Sequence, residues 1–236
     1  MFDGISVTIF FYALLGGVIP TIIWLSFWLR EDSTKDPEPP FLLMLTFIGG
    51  MLVVPLVIPI ENVVYNSLFS SELALGINAF IEEFGKFIVV ALIAFGTQFV
   101  DEPRDYALYL ITGGLGFAAL ENTLFLLETI SAQNIAITFY TGNLRFLGAT
   151  VLHAIASAFV GVSLGLAFYK STPMKYLYGG MGLLVATVVH GLFNYFILRA
   201  TFENILTIFG FVWFAAVIIL FLFEKLKQMK YYRGTV

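Results

Sequence analysis

Seven mostly apolar runs divide this chain, at about 5–29, 41–60, 73–98, 106–127, 146–169, 176–198 and 204–223. Each is near the roughly 20 residues that a helix needs to cross a bilayer. Nothing else in the sequence constrains the fold as strongly. Hydrocarbon offers no partner to a free backbone N–H or C=O, so these runs must be helices that satisfy their own backbones. The breaks between them are "REDSTKDPEPP" (30–40), "ENVVYNSLFSSE" (61–72), "DEPRD" (101–105), "ETISAQNIAITFYTGN" (128–143) and "KSTPMK" (170–175). The longest, 128–143, has the length to run along the membrane interface. No break can fold alone. The expected architecture is therefore all-α, a polytopic membrane helix bundle of about seven spans forming one domain over residues 1–236. Composition agrees, with only 12% charged residues and a mean hydropathy of +0.92, against about 25% charged in soluble domains. The first run is expected to remain as a span. Its one early charge is Asp3, it exceeds a signal-peptide core in length, and no small-residue cleavage site follows it.

Basic residues set the expected orientation. Arg30, Lys35, Arg104, Lys170, Lys175, Lys225, Lys227, Lys230 and Arg233 fall on one side of the membrane, and Arg145 and Arg199 on the other. Positively charged loops stay in the cytoplasm, which places the N-terminus outside and the C-terminus inside. The remaining basic residue is Lys86, and it lies inside a run. The net charge of −4 argues against a nucleic-acid partner, and zero cysteines removes disulfides, iron–sulfur clusters and thiol nucleophiles.

Lys86 belongs to "FIEEFGKFIVV" (80–90), where Glu82, Glu83 and Lys86 interrupt hydrocarbon-like sequence. Ionisable groups at such depth cost a few kcal/mol each and mark functional sites by default. Glu121, His153 and His190 occupy later runs, with Asn194 one turn beyond His190. With alternating helix direction and about 1.5 Å per residue, Glu82, Glu121, His153 and His190 lie roughly 13, 9, 11 and 12 Å below the outer edge. Four helices thus place their costliest residues in one layer. Faces agree as well, since Asn78, Glu82 and Lys86 share a stripe, as do Thr150, His153 and Ser157. These groups are expected to line a watery cavity in the outer half of the bundle.

One Glu–Lys pair would suffice to pin helices, so the second glutamate is the informative one, because adjacent carboxylates favour a group fit for acid–base work. Glu121 near a run's end would also suit a snorkelling carboxylate, and His153 a packing histidine. His190 and Asn194 in "HGLFN" aim two polar groups at one point, as an oxyanion requires. The glycines of "GGLG" (113–116), "GVSLG" (161–165) and "GGMG" (179–182) read as close helix packing. "KDPEPP" reads as a stiff loop, and "EKLKQMKYYRG" as a basic, aromatic anchor. There is no HExxH, paired GxGD or Walker loop.

"EEFGK", "ENTLF", a histidine in the following run and "HGLFN", in that order, resemble the PrsW family of intramembrane proteases, as does the acidic, proline-bearing segment after the first run. The likeness spans most of residues 20–198. The wider CAAX-protease and bacteriocin-immunity pattern, EExxxR, FxxxH and HxxxN, is also similar. Here Lys86 stands one position before the arginine, and Ala149 replaces the phenylalanine. The resemblance implies proteolysis of a single-span membrane protein on the outer side of a bacterial or archaeal inner membrane, such as the first cut of an anti-sigma factor. On that reading Glu82 or Glu83 activates a water, His153 orients it, His190 and Asn194 stabilise the oxyanion, and Lys86 and Glu121 hold the site. A Zn²⁺ ion bound by His153, His190, Glu121 and Glu83 is the variant with a cofactor. A proton- or ion-coupled transporter and a non-catalytic immunity-like scaffold are the alternatives from other classes.

Overall fold

A computed structural model describes residues 6–32, 37–67, 70–131, 143–201 and 204–229. Seven helices account for nearly all of them: α1 (Val7–Trp28), α2 (Pro40–Tyr65), α3 (Ser71–Val90), α4 (Asp105–Ser131), α5 (Thr150–Leu166), α6 (Thr172–Ile197) and α7 (Ile205–Gln228). No strand occurs among the described residues. A 3-10 turn, Leu29–Glu31, ends α1. Five-residue π-helical turns extend α3 through Ala91–Phe95 and lead into α5 through Arg145–Ala149.

Six helices are long and apolar enough to cross a membrane, and α3, with Glu72, Glu82, Glu83 and Lys86, is the exception. It nonetheless packs between α2 and α6 within the same bundle. Several expected breaks are partly helical, α4 for one running on to Ser131. α2 runs on to Tyr65, which brings Glu61 into the helix, and α6 begins at Thr172 with Pro173 in its first turn, where a missing N–H is harmless. The expected interfacial stretch lies mostly at 132–142, and the tail beyond 229 likewise falls outside the described residues.

α4 and α5 form the buried centre, while α1 and α6 expose most of their surface. Between helices in lipid, burial gains little by itself, because lipid tails are as apolar as leucine, so close contact has to supply the attraction. Glycines provide it. A Cβ at Gly116 would overlap the Phe47 carbonyl oxygen, and one at Gly50 the Gly113 carbonyl oxygen, so α2 and α4 cross backbone to backbone. The central core joins Leu108, Ile111 and Leu115 of α4 to Leu152 and Ile155 of α5 and Val212 of α7.

The loops sort by end as the charge count requires. At one end Lys227 pairs with Glu31, Tyr109 donates to Glu38, and the Phe41 and Phe99 rings meet at 6.0 Å. At the other, Arg199 pairs with Glu72 at 2.9 Å and Arg145 with Glu121. The charged residues inside the helices lie nearer the second end.

Candidate functional site

Ser70 starts α3 by accepting the Leu73 N–H at 3.3 Å. The helix then runs unbroken through 82–86, which puts Lys86 three residues from Glu83 and four from Glu82. Lys86 Nζ bonds Glu83 Oε1 at 2.5 Å and lies 4.0 Å from Glu82 Oε2. It also reaches His153 Nδ1 on α5 at 3.1 Å and sits 4.4 Å above the Phe117 ring of α4. Glu83 Oε1 meets His190 Nδ1 of α6 at 2.7 Å. Glu121 Oε2 of α4 meets His153 Nε2 at 2.9 Å and also pairs with Arg145. The two imidazole rings lie edge to face, 5.0 Å apart. Glu83, Lys86, His153 and His190 are each at most 2% exposed.

Donor chemistry fixes the proton positions. A lysine ammonium only donates, so His153 Nδ1 accepts from Lys86 and its Nε2–H donates to Glu121. Glu83, paired with Lys86, only accepts, so His190 Nδ1–H donates to it. In a neutral His190, Nε2 is then a lone pair. It faces Glu82 Oε2 at 3.8 Å, and that oxygen has no hydrogen-bond partner. Two acceptors turned toward each other in a dry space repel unless a cation lies between them.

Glu82, His153 and His190 each offer a ligand atom, all within 4.8 Å of one another. Two imidazoles and a carboxylate are a common catalytic zinc set. The expected metal set shares both histidines with this group and differs in its carboxylates. Glu83 and Glu121 instead bond the rings' other nitrogens, the outer-shell position that orients a ligating histidine.

All six ionisable residues singled out from the sequence therefore meet. Asn194 lies one turn beyond His190, half-buried, and its side chain makes no hydrogen bond among those recorded for the described residues. A neutral His190 that donates from Nδ1 to Glu83 is an acceptor at Nε2, which suits a ligand better than the expected oxyanion donor.

Sequence reasoning missed three contributors. Arg145, in the π-helical turn, donates to Asn122 Oδ1 at 2.5 Å as well as to Glu121. Asn122 in turn donates to Thr150 Oγ1 at 2.8 Å. Glu61, near the end of α2, interacts with the Glu82 carboxyl. Arg145 carried one available signal, being one of two basic residues expected on the outer side. At the same end of the bundle a cleft of about 390 Å³ opens between Tyr65, Ser71, Leu75, Leu198 and Arg199.

The model of the PrsW family intramembrane metalloprotease matches residues 38–222, well over half of the chain. Among curated proteins, the chain is 28% identical over 229 residues to "Protease PrsW" of Geobacillus kaustophilus, covering 94% of each. It is 29% identical to the protein of that name from Bacillus subtilis, covering 80% of this chain and 84% of the relative. The corresponding Oceanobacillus iheyensis protein is 31% identical, with 83% and 88% covered. No solved structure matches significantly.

Proposed function

Because this chain belongs to the PrsW family, and is thus a multi-pass intramembrane protease of the cell membrane, we propose that its buried carboxylate–imidazole cluster hydrolyses a peptide bond of a single-span membrane protein. The cut falls near the outer face, and an anti-sigma factor is the substrate class the family resemblance suggests. One observation carries the reading. Glu82 Oε2 is buried, lacks a hydrogen-bond partner and faces His190 Nε2 at 3.8 Å.

Of the two candidate glutamates, Glu83 is already engaged by Lys86 and His190, which leaves Glu82 to act on the reacting water. Glu82, His153 and His190 are the residues that would hold a divalent metal. Such an ion supplies Lewis-acid polarisation of a water and of the scissile carbonyl. A carboxylate has two oxygens, so Glu82 has a second one with which to accept the water's proton and pass it to the leaving amine. Glu83 and Glu121 orient the two imidazoles. Arg145 and Lys86 compensate the buried negative charge. Asn194 is the nearest amide on the His190 stripe and serves as the oxyanion donor.

The test is reconstitution in liposomes with a panel of single-span proteins bearing outer juxtamembrane segments. Wild type is expected to cleave at least one of them. Glu82→Gln, His153→Ala and His190→Ala are expected to insert and melt normally yet lose cleavage by at least about a hundredfold. Cleavage retained by all three variants would sink the assignment, and parallel chelator lanes decide the metal requirement.

A further inference from the structure

We propose that the cleft between α2, α3 and α6 is the peptide-binding groove of the protease, and that Asn78 is its backbone clamp. The inference rests on the protease reading above. Asn78 is 5% exposed, and neither its Oδ1 nor its Nδ2 has a hydrogen-bond partner. A buried primary amide with both functions unmet carries a desolvation penalty that ordinary packing does not explain. A polypeptide backbone answers both functions at once, offering an N–H to Oδ1 and a C=O to Nδ2.

Position supports the assignment. Ser71, Leu75, Asn78 and Glu82 follow one another at i, i+4, i+7 and i+11, so they form one stripe of α3. The first two line the cleft and the last is the proposed reacting carboxylate. α2 and α6 flank the stripe. Tyr65 at the cleft rim interacts with Asn78 without completing a hydrogen bond, and Glu61, one turn earlier, interacts with Glu82. On α6, Leu198, Asn194 and His190 lead inward in the same way. The stripe therefore leads from the cleft inward to Glu82.

Its dimensions select the substrate's conformation. Eleven residues along α3 make about 16 Å at ~1.5 Å per residue, which about five extended residues would span at ~3.3 Å each. A helical segment keeps its backbone N–H and C=O bonded to itself and has none to offer Asn78. The groove thus takes an unwound segment. Asn78 lies about 6 Å from Glu82 along the helix axis, so it grips the chain about two residues from the scissile bond.

The experiment uses the full chain in detergent, with fluorescein-labelled β-casein as an unstructured polypeptide probe. Asn78→Leu removes the unmet polar group at similar volume. It is expected to keep or raise Tm, leave kcat within about twofold, and raise KM roughly tenfold, with partial rescue by Asn78→Gln. A photo-crosslinking residue at position 71 is expected to capture casein, and to do so far less in the Asn78→Leu background. The same residue at the lipid-facing position 92 should capture none. Casein turnover with an unchanged KM in Asn78→Leu, or a lowered Tm and kcat at constant KM, overturns the clamp and leaves the protease standing. Absence of crosslinking from position 71 during turnover overturns the groove. Crosslinking without turnover sinks hydrolysis instead.

Discussion

At the scale of single residues, the site is a problem of competing cations. Lys86 holds the His153 nitrogen that a metal would use, and its charge stands 4.0 Å from Glu82. Removing it with Lys86→Met frees that lone pair and lifts a repulsion, so zinc affinity measured by competition with a chromogenic chelator is expected to tighten about tenfold. Unchanged or weaker affinity would show that Lys86 supports the donors. Zinc stoichiometry is expected to vanish in Glu82→Gln and His190→Ala. In Glu83→Gln and Glu121→Gln it should persist with affinity reduced about 10- to 100-fold. Glu82, Glu83, Lys86, His153 and His190 were legible from sequence because a charge or imidazole amid hydrocarbon has no bland excuse. Glu61 and Arg145 were not. Near helix ends a charge is ordinary, and nothing local distinguishes one that snorkels outward from one that turns inward.

At the scale of elements, helix existence was legible and helix ends were not. Hydropathy marks where lipid begins, yet a helix continues past that point, as α2 does to Tyr65. The π-helical turn that swings Arg145 onto Glu121 leaves no trace in apolar spacing. Close crossings were visible only as glycines, without their partners. Since a Cβ at Gly116 would strike the backbone of Phe47 rather than a yielding side chain, Gly116→Val is expected to destabilise the α2–α4 crossing by about 1–3 kcal/mol or more. Thermal unfolding in detergent checks this. The loop entering α2 carries its own titration. Burial pushes the Glu38 carboxyl up to about 7, against the opposing hydrogen bond from Tyr109, with Asp105, Asp32 and Asp101 nearby. A carboxyl raised in the folded state contributes stability that is complete below about 4.5 and lost as pH climbs through about 7. Tm is therefore expected to fall between pH 5 and 8, and Glu38→Gln to flatten that slope. An equally steep slope in the variant would assign the effect elsewhere.

At the scale of the whole molecule, orientation is the untested expectation with the largest consequence, because it decides which compartment supplies the substrate. The absence of cysteine makes single-cysteine variants clean. Asn66→Cys, at the site's end of the bundle, is expected to react with an impermeant maleimide in intact cells, and Ser171→Cys only after permeabilisation. The reverse pattern would turn the protease toward the cytoplasm. The odd status of α3, alone among the seven in carrying too many charges to qualify as a span, bears also on how the chain is made. His153 follows Lys86 by 67 residues, and His190 follows Glu83 by 107. At roughly 5–20 residues per second, a ribosome delivers the second histidine about 5–20 s after the glutamate it will hydrogen-bond. During that interval α3 has its internal Lys86–Glu83 pair and its packing against α2 for company. The buried charges of the active centre are therefore completed only once α5 and α6 have been made.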